Sequence, residues 1–350
     1  MSKTLRWGIL GTGNIAKQFA GDVATSRRGK VVAVGSRSEE SARSFASTYS
    51  IPAAYGSYRE LIGDPNVDAV YISLPNSLHY EWTLEAAAAG KHILCEKPIA
   101  ANAVQAEEMF DAADRAGVKL VEAFMFRSHP LTLAVLDKVR SGAIGDLKLI
   151  RTSFCYATKK ISGNIRFDRS LFGGALMDVG CYCIAFSRLF ANREPVKMHA
   201  VSHLHHTGVD DATTGILQFS SGVMASFACG MSLQIDNTAY ISGSDGYIEI
   251  PVPWKPSSKG ATYTVAQGTP PKMDSPSAKA GSTPPRQTFT VDSPSALYGI
   301  EADDFATTIL DSAPVRVSRA DSVGNMRVLD ELREQIGVPT ADNAQVSERT

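Results

Sequence analysis

Leu5-Arg6-Trp7-Gly8-Ile9-Leu10-Gly11-Thr12-Gly13-Asn14-Ile15-Ala16 is the stretch that decides the fold. A strand-like apolar run passes without a spacer into Gly-x-Gly-x-x-Ala and from there into a helical pattern. Gly11 permits the tight turn, and Gly13 leaves the backbone open to a pyrophosphate. The small Ala16 lets helix and strand pack closely, while the helix N-terminus offers free N–H groups to the anion. Thr12, Asn14 and Ile15 complete the expected phosphate loop. Such a fingerprint is weak alone, so its surroundings matter.

Those surroundings alternate short apolar runs with helical patterns, as expected of a parallel sheet covered on both faces. Strands are expected at residues 5–10, 30–35, 53–55, 68–73, 92–95 and 119–123, with helices at 15–24, 39–48, 58–62, 79–89 and 103–116. After Arg127 the texture changes. A helix at 129–141, a strand at 147–156 and a helix at 177–190 precede strands at 196–206, 213–219, 222–229, 238–242 and 247–250. Turn signals such as Ser221-Gly222 and Asp245-Gly246 argue for an antiparallel meander. Residues 251–286 hold eight of the 17 prolines, which reads as a surface excursion with at most a short strand at 261–265 and no expected function. Helices at 300–311 and 319–336 follow, the second opened by a Ser318/Asp321 capping box. The expectation is α/β: a Rossmann doubly wound parallel sheet over 1–125, an α+β domain with a large open, mainly antiparallel sheet over 126–339, and a polar, frayed tail over 340–350.

With 350 residues, 44% hydrophobic and 20% charged, the chain is sized for about two globular domains. Its formal charge of -1 offers no global positive field for nucleic acid or an anionic membrane. No apolar run approaches a membrane span, and no signal-peptide core precedes the first strand, so a cytoplasmic protein is expected. Five cysteines without a CxxC pair suit reduced thiols.

The second strand ends in Val34-Gly35-Ser36-Arg37-Ser38, where an acid would meet the ribose hydroxyls of NAD. No acid stands there. Ser36 can donate to a 2′-phosphate and Arg37 can pair with it, which favours NADP over NAD. The alternative leaves Arg37 solvated beside a helix capped by Ser38.

Ligands of such sheets bind beyond the carboxyl ends of the strands. Following the fourth, fifth and sixth strands are Leu74-Pro75-Asn76 with His79, then Glu96-Lys97-Pro98, then Phe126-Arg127. Lys97 is the cation placed where nicotinamide and substrate would meet, and Pro98 either starts the next helix or follows a cis peptide. In the second domain, Gly173-Gly174 leads into a helix carrying Asp178 and Tyr182 one turn apart, so both can face one cleft. Alternatively, Asp178 decorates a first turn and Tyr182 packs in the core.

Together, the Gly11 loop, the Glu96-Lys97-Pro98 triplet and the Gly-Gly-x-x-x-Asp-x-Gly-x-Tyr segment resemble the Gfo/Idh/MocA oxidoreductases. The branch of dimeric dihydrodiol dehydrogenases and NADP-dependent D-xylose dehydrogenases is the nearest in pattern, since Tyr182 stands where inositol dehydrogenase-like members carry histidine. The resemblance implies NADP-linked hydride transfer to or from a sugar or cyclic diol. Tyr182 would be the acid/base, its phenol pKa lowered by Lys97, with Asp178 orienting substrate or lysine. A direct base role for Lys97 stays open. Arg166 matches a segment that reaches the cofactor, His79 would touch cofactor or substrate, and Phe126, Arg127, Phe154 and Tyr156 would wall the substrate. A homodimer through the second sheet is implied, and its open face is expected to carry Ile216, Val223, Ala225 and Phe227. The same fold also serves non-catalytic dinucleotide-binding sensors, which would have no reason to keep Lys97, Asp178 and Tyr182 together.

No carboxylate or cysteine at ligand spacing joins His203, His205 and His206 before Asp210-Asp211, and hydride transfer needs no metal, so no metal site is assigned. Cys181 and Cys183 point to different helix faces and read as small core residues.

Overall fold

The computed structural model describes residues 4–268 and 284–338. The tail at 340–350 and residues 269–283 of the proline-rich excursion lie outside them.

Six strands form the first sheet: β1 (Leu5–Leu10), β2 (Gly29–Gly35), β3 (Ala53–Tyr55), β4 (Ala69–Ile72), β5 (His92–Glu96) and β6 (Leu120–Ala123). All pairs are parallel in the order β3-β2-β1-β4-β5-β6, so the winding reverses between β1 and β4 and opens a crevice at their carboxyl ends. Helices α1 (Asn14–Val23), α2 (Glu39–Tyr49), α3 (Tyr58–Ile62), α4 (His79–Ala88) and α5 (Ala103–Arg115) connect the strands. The strands read as near-continuous apolar runs because both faces are covered. Trp7, Ile9 and Tyr71 are fully buried, with Tyr71 stacked on Phe19 of α1.

α6 (Pro130–Arg140) leads into β7 (Leu147–Cys155), and α7 (Cys181–Ala191) into β8 (Pro195–Leu204), β9 (Asp210–Phe219), β10 (Met224–Gly230), β11 (Ala239–Gly243), β12 (Gly246–Ile250), β13 (Ala261–Gln267) and β14 (Arg286–Val291). The order is β14-β13-β12-β11-β7-β10-β9-β8. This is not the expected simple meander. β7 is inserted at the centre, antiparallel to β11 and parallel to β10. β14, absent from the sequence reading, is an edge strand with no buried residue, its apolar alternation limited to the half-buried Phe289 and Val291. α8 (Leu297–Asp311) returns to pack on α1, and α9 (Arg319–Gln335) packs against α5 and α7, opened by the expected Ser318/Asp321 capping box.

Two expectations need correction. Val223, Ala225 and Phe227 lie on the helix-covered face and are buried, whereas Ile216 alone of the four is on the open face, 60% exposed. The reading gave β9 and β10 the wrong relative parity: Ala225 pairs with the buried Leu217, not with Ile216. Residues 169–191 are also long and apolar enough to cross a membrane by composition, but 78% of that window is buried in the fold, as in a core helix.

Candidate active site

A cleft of about 1000 Å³ runs from the loop after β1, past the ends of β2, β4 and β5, to the second domain. At one end, Gly11 adopts φ +105° and donates its N–H to the Gly35 carbonyl at 2.9 Å, a conformation suited to glycine. A Cβ at Gly13 would meet no atom within 4 Å. The first turn of α1 contains no acidic residue and no side-chain cap, so its N–H groups and partial positive charge stay available to an anion. Thr12, Asn14 and Ile15 line the same end.

Ser36 and Arg37 line the cleft beyond it, as the ribose reading requires. Ser38 caps α2 by accepting from Ser41 N at 3.2 Å, and Glu39 is engaged by Arg43 at 2.6 Å. No α2 carboxylate is paired with Arg37. Its guanidinium instead acts on the phenol of Tyr58, a lining residue the sequence reading missed.

The other end is organised around Asp178. Its main-chain carbonyl accepts from Lys97 Nζ at 2.8 Å, its Oδ1 lies 3.5 Å from the same ammonium, and its Oδ2 accepts from Tyr156 OH at 2.5 Å and Arg166 Nε at 2.9 Å. Both Lys97 and Asp178 side chains are only 13% exposed. Burial alone would push the Asp178 pKa up, but Lys97, Arg166 and the Tyr156 hydroxyl hold it below the usual carboxylate range. Burial likewise disfavours charge on Lys97, but Asp178 together with Cys181 and Glu96 outweighs it, so the ammonium persists with a raised pKa. It sits 5.0 Å from the centroid of the Tyr182 ring.

Local chain geometry explains this convergence. The Lys97-Pro98 peptide is cis. Gly174 takes φ +119°, and a Cβ there would strike Asp210, whose carboxylate accepts from Leu176 N at 2.8 Å. The glycine thus brings the Asp210 acceptor onto the start of the next segment. Residues Leu176–Gly180 form a π-helical turn before α7, a wide turn of the kind often found at functional sites.

Tyr182 departs from expectation. Its hydroxyl is directed at the thioether of Met125 at 3.4 Å, and burial raises its pKa well above 10. The Lys97 ammonium lies over the ring face and is paired with Asp178, and the phenol stays raised with it in place. Tyr156 is also raised, by burial first and the Asp178 charge second. Glu96 lines the cleft, accepts from Tyr71 OH, and is shifted upward by burial despite neighbouring Lys97.

Leu74, Pro75, Asn76, Phe154 and Arg166 also line the cleft, and Asn76 donates to the Phe172 carbonyl at 2.9 Å. Three expected residues do not. His79 is fully buried with its ring nitrogens 2.9 Å from the Leu74 and Pro98 carbonyls, tying two strand-end loops together. Phe126 is fully buried behind Tyr182 and Trp254. Arg127 turns away to the Arg316 carbonyl at 2.9 Å and to Asp321.

Sequence reasoning missed Trp254. This residue, 2% exposed, stacks on Phe154 with centroids 5.5 Å apart and donates to the Ser153 carbonyl at 2.7 Å. Its signal was a tryptophan within an otherwise polar, proline-rich stretch. Asn237 and Tyr298, also missed, complete the wall. Cys181 and Cys183 are buried and free, as read.

Known proteins were compared with this arrangement. Residues 5–124 match the family described as "Oxidoreductase family, NAD-binding Rossmann fold", and residues 132–249 match the "GFO/IDH/MocA C-terminal domain". The trans-1,2-dihydrobenzene-1,2-diol dehydrogenase of Mus musculus is 40% identical over 256 residues, 72% of this chain and 76% of that one. Among solved structures, aldose-aldose oxidoreductase from Caulobacter crescentus, complexed with glycerol, superposes with a TM-score of 0.84 at 27% identity, covering 95% of this chain and 97% of its own. A 3-ketoreductase from Actinomadura kijaniata, in complex with NADP and TDP-benzene, gives 0.82 at 28% identity, covering 95% and 98%. With both halves matched and its relatives named as dehydrogenases and oxidoreductases, the chain belongs to the Gfo/Idh/MocA family of NAD(P)-dependent oxidoreductases.

Proposed function

We propose that the protein transfers hydride between NADP and the CH–OH carbon of a sugar or cyclic diol, with Tyr182 as acid/base and Lys97 and Asp178 as its partners. The carrying observation is the Lys97 ammonium, held between Asp178 and the Tyr182 ring at the reacting end of the cleft. The phosphate loop, the unacidic α1 terminus and the Ser36-Arg37 pair fit a dinucleotide with a 2′-phosphate. A nicotinamide bound there supplies or accepts hydride at C4. Glu96 and Asn76 line its end of the cleft.

Of the two tyrosines, Tyr156 is committed to the Asp178 carboxylate, whereas Tyr182 has only a thioether partner. A thioether is a weak acceptor, so the Tyr182 hydroxyl can turn to a substrate oxygen at little cost. Burial keeps this phenol protonated, which suits it to donate during carbonyl reduction. In that direction the phenolate develops beside the Lys97 charge. In the oxidative direction the phenol must first release its proton to solvent, and the phenolate oxygen then takes the alcohol proton and returns to phenol. Lys97 also donates to the substrate oxygen, while Asp178, itself held by Arg166, keeps the lysine in place. The Phe154 and Trp254 rings give one apolar wall, which suits a sugar face or a carbocycle. Mixing protein and NADP with a panel of aldoses and cyclic diols should produce the absorbance of reduced nicotinamide with members of at least one class. No absorbance with any of them, nor any loss of it in the reverse direction, would reject the reading.

A second copy of the chain is the proposed partner, and the cytoplasm the proposed location; five buried free cysteines accord with the latter. Val201, Ile216 and Met224, 58%, 60% and 52% exposed, form an apolar strip across β8, β9 and β10. Light scattering should give about double 37.5 kDa, and Ile216→Glu should halve it. A wild-type mass near 37.5 kDa at micromolar concentration would reject the dimer.

A further inference from the structure

The composition of residues 251–286 argues against function, yet Pro251, Val252, Trp254 and Lys255 line the cleft. Pro251, Pro253 and Pro256 restrict the backbone of this short stretch. Trp254 anchors it through the Phe154 stack and the Ser153 carbonyl. The next residue is therefore presented from a fixed base. Lys255 Nζ reaches α1, where it lies 3.4 Å from Gln18 Oε1, slightly more than one turn beyond the phosphate loop.

Of the five cations lining the cleft, Arg37, Lys160 and Lys255 are in no ion pair among the described residues, whereas Lys97 and Arg166 both have Asp178. Burial of part of the Lys255 stem and repulsion from the Lys97 ammonium pull its pKa below the ordinary lysine value, although the Glu96 and Asp178 carboxylates act in the opposite sense. The same cleft holds the open Gly13 backbone and the N-terminus of α1, which has no side-chain cap and no acid in its first turn.

We propose that Lys255 binds the pyrophosphate of the dinucleotide from the second-domain side, so that this group is held between the α1 N-terminus and the Lys255 ammonium. This rests on the dinucleotide occupying the cleft but not on any substrate or acid/base assignment. The role differs from that of Arg37, because the pyrophosphate is common to NAD and NADP whereas the 2′-phosphate is not. It also makes cofactor affinity depend on both domains.

Calorimetric titration of the full chain with NADP, NAD and adenosine 2′-monophosphate tests it. In Lys255→Gln, the Kd values for NADP and NAD should both rise about tenfold, the scale of one lost charge-assisted contact, while adenosine 2′-monophosphate binds as before. Lys255→Arg should restore both to within about threefold of the parent. Unchanged dinucleotide affinities would overturn the proposal, including the case in which only the KM of an anionic substrate rises. Equal weakening of adenosine 2′-monophosphate would overturn it too, as a general field effect. A protein that binds dinucleotide as described but turns over no alcohol leaves this assignment standing and removes only the proposed activity.

Discussion

The two walls of the cleft present their groups differently. On the Rossmann side, they follow directly on strand ends: Gly11 after β1, Ser36-Arg37 after β2, Leu74-Pro75-Asn76 after β4 and Glu96-Lys97 within and after β5. The sheet fixes where each will be, and much of the contact surface is backbone. On the second-domain side, the lining comes from a strand end at Phe154-Tyr156, a loop at Arg166, a π-helical turn at Asp178 and the Trp254-Lys255 stretch. Only tertiary packing brings these together, and nearly all of them act through side chains. One wall is a scaffold that binds by geometry, while the other works through a charge network centred on a single carboxylate.

The largest effect should come from the side-chain wall. Tyr182→Phe removes a hydroxyl but little volume, so turnover should fall by about 100-fold or more while NADP affinity and melting temperature stay near those of the parent. Tyr156→Phe should cost about tenfold or less, because Asp178 keeps Lys97 and Arg166. The Tyr156 hydroxyl helps hold the Asp178 pKa down, so its loss should also move the acid limb of the pH–rate profile upward. If Tyr156→Phe proved the more damaging, the proton would belong to the committed phenol and the comparison of the two tyrosines would fail.

A smaller and more selective effect belongs to the scaffold wall. Arg37→Asp should raise the NADP Michaelis constant by about 30-fold while leaving that for NAD within about threefold, if the guanidinium pairs as proposed with a group NAD lacks. Equal effects on the two cofactors would remove Arg37 from the ribose site and with it the preference for NADP.

Legibility in the sequence followed the same division. The parallel sheet and its phosphate loop could be read because period, glycine spacing and strand ends are local properties of the chain. Phe154, Tyr156, Arg166, Asp178 and Tyr182 do line one cleft, but the residue types did not reveal that Tyr156 rather than Tyr182 bonds to Asp178. Nor did they place Lys97 over a ring face. His79 and Arg127 look functional because they are polar and near strand ends; burial and carbonyl partners make them structural ties instead. Trp254 and Lys255 escaped notice because a proline-rich stretch resembles a linker, and nothing local records that a buried indole anchors it. The open sheet face was misread by one residue of parity, which exchanges every exposed side chain for a buried one.

Whether the scaffold wall stands on its own chemistry or only on packing can be read from its stability rather than its turnover. Glu122 at the end of β6 is fully buried, accepts from Ile99 N at 2.9 Å through Oε1, and has no hydrogen bond to Oε2. Ile99 follows Lys97-Pro98, so this carboxyl holds the loop that carries Lys97. Burial pushes the Glu122 pKa from 4.5 to about 7. The folded protein therefore holds a proton that the unfolded chain releases between those values. Its contribution to stability is complete below about pH 4.5, falls as pH rises through 7 and is then constant, a total change of order 3 kcal/mol. Glu122→Gln keeps an acceptor for Ile99 N and removes the charge. The variant should melt within about 1 °C of the parent at pH 4.5 and above it at pH 8.5, by a few degrees, on the order of 2 °C per kcal/mol. A melting difference independent of pH would show that the carboxyl titrates alike in both states. The scaffold wall would then owe its rigidity to packing alone, and the contrast with the charge-built wall would be sharper.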